Sequence, residues 1–471
     1  MTKKLLSYFT LAIRQLALGI VIIMLVVTCN SDTQLNNTQI DKSRSPSEAN
    51  VLEILWEKGF NPEEDRALQT LFNNWEQKTG KKIKHLYGGS DELSQKLERK
   101  ILAGDVPDLL ATSKPEKAFI PRLAWSGKLA DVSDVIKSAK NPYPKEILQA
   151  VSLDNQVKQK RSYYALPLYQ ATVHVYYWRD LLNEIGFSDR DIPQDWDGFW
   201  QFWIKAQDRL RTKQYNIYGL GLPVSVEAAD TYQVFEHILE AYNISVVDSQ
   251  GQLQVDNPQI RQGIIQILNW YKQLYEQGYI PPRALHWSNP DNNQDFLNRS
   301  VLMTPNQTLS IPAAVRQVSN LYGSKLAMID LPKKPNGQTI HHLTVADQIV
   351  LFAESPRQQL AKNFLIYISQ PEVIDKYLKS SGNRFFPVQK ALWKTPFWQN
   401  SSDIYISTVS KTLTKEPTRP YQTVQNPAYG EILQKNIWGQ ALNRILVDKI
   451  SAEQASDEAI AQIKEIFEEW K

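Results

Sequence analysis

The groups able to do chemistry in this chain are one cysteine (Cys29), an adjacent histidine pair (His341-His342) and 50 Asp and Glu side chains. One thiol cannot close an internal disulfide or build a cysteine metal cluster. Adjacent histidines on a strand point to opposite faces, so His341 and His342 cannot hold one metal. No Gly-x-Ser-x-Gly elbow, phosphate-binding glycine loop or His-Glu-x-x-His stretch occurs. Carboxylates remain: a glycan hydrolase needs two of them about 5–10 Å apart, one with a raised pKa. Their abundance neither supports nor removes that reading. No metal, cofactor or catalytic residue is expected.

The setting of Cys29 is informative. Lys3, Lys4 and Arg14 precede an uncharged run, Leu16–Thr28 (LALGIVIIMLVVT), and Cys29 follows at once. The run falls short of the ~20 residues that span a bilayer and suits the apolar core of an export signal. The order resembles a lipoprotein signal peptide (1–28), whose cysteine is acylated. Thr28 departs from it, standing where Gly, Ala or Ser is usual, and an uncleaved signal anchor is the alternative. Residues 29–50 contain no aromatic and little apolar surface after Cys29, the composition of a flexible tether. Both readings put the remainder outside the cytoplasmic membrane.

That remainder is long enough for two lobes or domains. The chain has 471 residues, 42% hydrophobic and 22% charged, with a net charge of +3. No clustered basic face points to nucleic acid. Tryptophan (13) and tyrosine (21) are plentiful; most must pack cores, and some could offer flat surfaces to a ligand.

The elements that must position a site begin with Leu52–Trp56, an apolar run suited to a buried strand. Asn61-Pro62-Glu63-Glu64 opens a helix, with proline at its first position and acids in its first turn. Leu68, Leu71, Phe72 and Trp75 keep helical spacing, and Gly80 ends it. Lys81–Tyr87 reads as the next strand, Glu92–Ala103 as a helix and Asp108–Thr112 as a third strand. This β-α-β-α-β order with short connections predicts a parallel α/β sheet. Ligands bind at the carboxyl ends of such strands, which selects Trp56, Glu57, Tyr87, Gly88, Thr112 and Ser113. Thr112 and Ser113 could instead cap a helix opening at Lys114-Pro115.

Five blocks in order carry a resemblance. Phe72–Asp108 (FNNWEQKTGKKIKHLYGGSDELSQKLERKILAGDVPD) is similar to F-x-x-E-x-x-T-G-I-x-V…L…K-L…A-G-x-x-P-D. Tyr164–Gly186, Pro193–Phe199 (PQDWDGF), Phe296–Pro312 and Pro356–Pro387 follow suit. Together they resemble the family 1 extracellular solute-binding proteins of ABC importers, the group of the maltose- and glycerol-phosphate-binding proteins. Trp178, Asn298 and Ala346-Asp347 depart from the pattern.

The resemblance implies an α/β, two-lobed periplasmic-binding-protein fold with a hinge of crossing strands. It assigns 51–170 plus 326–369 to lobe 1 and 171–325 plus 370–471 to lobe 2, with the solute in the cleft. It implies a monomer that captures a sugar-like molecule and hands it to membrane permease subunits. Sugar hydroxyls need convergent hydrogen-bonding partners and sugar C–H faces need flat rings. The matching blocks offer the strand-end residues above, then Tyr169 and Gln170 at the first crossing and Asn306 and Gln307 in a later loop. His342 and Asp347 bracket the final crossing, and Asn383-Arg384 precede a Phe-Phe-Pro turn. Asp347, in an otherwise apolar strand, must be paired or wet. Arg384 serves either to contact a phosphate or sugar or to brace lobe packing. Asp230 and Trp287 come from loops of lobe 2. The expected ligand is a sugar or glycoside, a di- or oligosaccharide or a glucosylated polyol. A phosphorylated solute, an extracellular hydrolase and an adhesion or scaffold lipoprotein are the alternatives.

Overall fold

The computed structural model describes residues 50–112, 119–138 and 143–471. Cys29, the signal and tether through residue 49, and Ser113 lie outside the described residues. The thirteen strands among the described residues are numbered in chain order.

Val51–Glu57 (β1) is buried over five consecutive residues, as a central strand covered on both faces must be. The following helix, Pro62–Thr79, starts where its capping chemistry dictates. The Asn61 side chain accepts from the Glu64 backbone N–H, Pro62 stands at N1, and Gly80 closes it in the left-handed region at φ 69°. Lys82–Gly88 (β2) and Leu109–Thr112 (β3) flank β1 in parallel, as the alternating pattern predicts. Ser152–Asn155 (β4) and Lys160–Tyr163 (β5) form a separate hairpin.

Ala165–Thr172 (β6), His342–Leu351 (β11), Phe386–Pro387 (β12) and Thr418–Pro420 (β13) complete the first, seven-stranded sheet. Its order is β12-β6-β11-β3-β1-β2, with β13 against β11. β11 lies antiparallel to both β6 and β3, and its pairing with β6 shifts register between Asp347 and Gln348. The second sheet runs β10-β7-β9-β8. It contains His174–Trp178 (β7), Tyr218–Leu220 (β8), Val301–Asn306 (β9) and Leu326–Ile329 (β10).

Two crossings of unequal length join the sheets. β6 passes into β7 through Val173 alone, and β10 reaches β11 through residues 330–341. The pairing moves the sequence-based boundaries. Leu326–Ile329, assigned to lobe 1, pairs antiparallel with β7 in the second sheet. Phe386–Pro387, assigned to lobe 2, pairs with β6 in the first. Helix Pro371–Ser380 likewise packs on Pro62–Thr79. The later helices Ile437–Leu446 and Ala452–Glu469 pack with Pro258–Glu276 beside the second sheet. A chain that returns to a sheet edge late leaves no local pattern marking its lobe.

Most of the aromatic surplus is core. Trp75, Trp178, Trp203, Trp398 and Trp438 are among the largest fully buried side chains. Among the described residues, no helix is long and apolar enough to cross a membrane.

Candidate functional site: the cleft between the two sheets

A cavity of about 310 Å³ opens between residues attached to the two sheets. That volume lies in the range of small-molecule pockets. The side belonging to the first sheet presents Glu57 at the end of β1, Lys58 and Phe60 beyond it, and Arg384 and Phe385 before β12. The facing side presents Asp230 and Gln233 on the Ala229–Ala241 helix, Asn293, and the Asn306–Ser310 loop after β9. A narrower recess continues behind Glu57 and Arg384, walled by Trp56, Thr112, Tyr169, Tyr377 and Glu64.

The facing side is an amide network. Asn306 Nδ2 donates to Asn293 Oδ1 at 3.0 Å and to Ser310 Oγ at 2.7 Å. Gln233 Nε2 donates to Gln307 Oε1 at 2.9 Å. Gln307 reaches Tyr421 Oη at 3.4 Å. All four amides are buried. Each amide is both donor and acceptor, so the network can turn toward a hydroxyl in either sense.

The first-sheet side combines rings with an ion pair. Phe60 is 46% exposed, a large apolar face left open at the cleft mouth. Arg384 Nε and Nη2 donate to Glu64 Oε1 and Oε2 at 2.7 and 2.8 Å. The guanidinium centre lies 4.1 Å from the Phe385 ring and 5.6 Å from that of Phe60. Burial alone would lower the Arg384 guanidinium; the Glu64 carboxylate outweighs it and holds it above the usual arginine value. Asn383, in the left-handed region at φ 55°, makes the turn that aims Arg384 inward. The second lobe pins this turn: Arg316 donates to the Gly382 carbonyl at 2.5 Å, and Leu309 N–H to the Arg384 carbonyl at 3.2 Å.

Glu57, Asp230, Asn306, Gln307 and Arg384 thus line the main cavity, and Trp56, Thr112 and Tyr169 the recess. Tyr87 and Gly88 stand outside both walls, because β2 is the outermost strand beyond β1. Gln170 is spent on the sheet, its Nε2 donating to the Pro387 carbonyl at 2.9 Å. Trp287 is buried behind the wall, bonded to Asp295 at 2.9 Å. His342 sits at the hinge, its ring centroid 6.3 Å from that of His174, and burial lowers its pKa to about 4. Asp347 is 1% exposed inside the first sheet. Burial first, and then its charge among others, raises the Tyr169 phenol well above the usual value.

Sequence reasoning missed Phe60, Glu64, Gln233, Asn293 and Phe385. Gln233 had a legible signal, one helical turn beyond Asp230. Glu64 was read only as a first-turn acid.

A family model described as bacterial extracellular solute-binding protein matches residues 70–404. The chain belongs to this family, whose members are binding proteins rather than enzymes. It is 19% identical over 352 residues to the multiple sugar-binding protein of Streptococcus mutans, covering 68% of this chain and 76% of that one. It is 21% identical over 232 residues to YcjN of Escherichia coli K12, by its name an ABC transporter periplasmic-binding protein; the match spans 49% of each chain. An ABC transporter solute-binding protein from Thermotoga lettingae, solved with α-D-tagatose, superposes with a TM-score of 0.72 at 19% identity. That match covers 88% of this chain and 99% of the other. The two-lobed periplasmic-binding-protein fold follows.

Proposed function

We propose that this protein captures an uncharged sugar or glycoside between its lobes and delivers it, as a monomer, to the membrane subunits of an ABC importer. The observation that carries the reading is the wall of four buried amides facing open aromatic surface across a cavity of about 310 Å³. Amides satisfy hydroxyls as donors and acceptors, and rings cover C–H faces. The sugar-binding name of one relative and the tagatose bound to the structural neighbour support the same class.

Anchoring through an acylated Cys29 belongs to the proposal and rests on the N-terminal pattern alone. Cys29→Ala should abolish incorporation of labelled fatty acid and release the protein from membranes.

The direct test is a thermal-shift screen of the protein with neutral di- and oligosaccharides and glucosylated polyols. At least one should raise the melting temperature with a concentration dependence set by its Kd. Phe60→Ala should weaken that ligand about tenfold with little change in the unliganded melting temperature, since the ring is half exposed. Stabilisation by no carbohydrate, or turnover of one of them, would sink the reading.

A further inference from the structure

Resting on the carbohydrate reading of the cleft, we infer that Glu64 is a specificity-determining residue. By occupying the guanidinium fork of Arg384 it closes the site to sugar phosphates and uronates, while uncharged and amino-substituted glycosides enter.

Arg384 is the side chain an anionic ligand would need. It lines both the cavity and the recess, and its planar fork matches a carboxylate or phosphate bidentately. Here Glu64 already fills that geometry, at 2.7 and 2.8 Å from Nε and Nη2. The pair cannot easily swing apart. Glu64 sits in the first turn of the Pro62–Thr79 helix at 5% exposure. The guanidinium is flanked by the Phe60 and Phe385 rings. An incoming anion would have to displace a carboxylate already paired and desolvated.

The remaining charges oppose an anion as well. With the Glu64–Arg384 pair neutral, Glu57, Asp65 and Asp230 stand against Lys58 alone among the described residues lining the two spaces. Asp347 adds negative potential from inside the sheet, acting on both Arg384 and Tyr169. Charges in a partly desolvated cleft act strongly on a ligand's charge. A neutral sugar is indifferent to this field and draws on the amide wall.

The test compares full-length wild type, Glu64→Gln and the double variant Glu64→Gln/Arg384→Gln by calorimetric titration and thermal shift. The probes are inorganic phosphate, glucose 6-phosphate and the neutral sugar panel. Wild type should ignore both anions. Glu64→Gln should melt lower, because it leaves a buried guanidinium half-paired, and should bind the anions at least about tenfold tighter than wild type. The double variant should lose that gain, showing that it runs through Arg384. If Glu64→Gln melts too low to titrate, Glu64→Asp, which withdraws the carboxylate from part of the fork, carries the same comparison. Anion binding by wild type as tight as by the variant, or no gain in a folded variant, overturns the inference. A protein that ignores every neutral sugar yet shows the anion gain would sink the carbohydrate reading and leave the charge gate standing.

Discussion

The two halves of the Ala229–Ala241 helix do opposite work. Its first turns carry Asp230 and Gln233 into the cleft, where Gln233 bonds another movable amide. Its last turns carry His237 and Glu240 to the hinge, where His237 Nε2 accepts from the Leu343 backbone N–H at 3.3 Å. There Glu240 accepts from Lys334 Nζ and Arg419 Nε, each at 2.7 Å, and meets His341 Nδ1 at 2.7 Å. Lys334 and His341 belong to the 330–341 crossing, and Arg419 to β13. One helix therefore ties the cavity wall to the chain segments that join the two sheets. Gln233 has a neutral amide as its partner in the cleft, whereas the buried Glu240 carboxylate at the other end of the helix is held by the charged Lys334 and Arg419. Neutral amides can be lent to a ligand at small cost; a buried charge cannot release its partner without exposing an uncompensated ion.

Acid should separate the two halves most strongly. Burial lowers the pKa of His237 to about 3 and of His342 to about 4. Gln233 O and Glu240 act to raise His237, with His342 and Arg419 opposing; Asp330 acts to raise His342, with His174 and His341 opposing. Both pKa values lie below that of the unfolded chain, about 6.5. The unfolded state therefore binds more protons as pH falls, and stability drops from pH 6.5 downward at up to about 1.4 kcal/mol per pH unit for each imidazole. Urea titrations at pH 7, 5.5 and 4.5 should show this fall, and His342→Gln should make it shallower. An unchanged slope would remove His342 from the hinge's acid response.

Glu240→Ala should come next, costing about 3–5 kcal/mol by leaving Lys334 and Arg419 without their carboxylate. Burial would raise the Glu240 carboxyl, but the Arg419 charge and the Lys334, Arg419 and His341 bonds hold it down at about 2. Its contribution is present above the unfolded carboxylate range and fades as pH falls toward 2. The loss in Glu240→Ala measured at pH 7 should therefore shrink in acid. Gln233→Ala, at the other end of the helix, should cost only about 1–3 kcal/mol and show its main effect in sugar affinity. If Gln233→Ala destabilises as much as Glu240→Ala, the contrast between the two halves fails.

Much of the first sheet was legible because its signals are local. The Asn61-Pro62 start, the Gly80 stop and the strand-helix alternation follow from hydrogen bonds and backbone preferences within a few residues. The strand-end rule selected Trp56, Glu57 and Thr112, which line the cavity or its recess. It overreached at Tyr87 and Gly88, because strand order is not written in any one strand. The lobe boundaries at 326 and 370 failed for the same reason: the partners of β10 and β12 lie more than a hundred residues away in sequence.

The sequence by itself determined the α/β class, the buried strands, the family and several members of the cleft. Periodicity, capping and ordered motifs act over short spans or survive as recognisable strings. Only the tertiary structure decided what those residues do. Glu64 and Arg384 stand 320 positions apart, so nothing local reveals that a first-turn acid silences the cleft's most prominent cation. His342 left the ligand wall for the hinge by the same logic. A side chain's charge and type are properties of the residue, but its partner is a property of the fold.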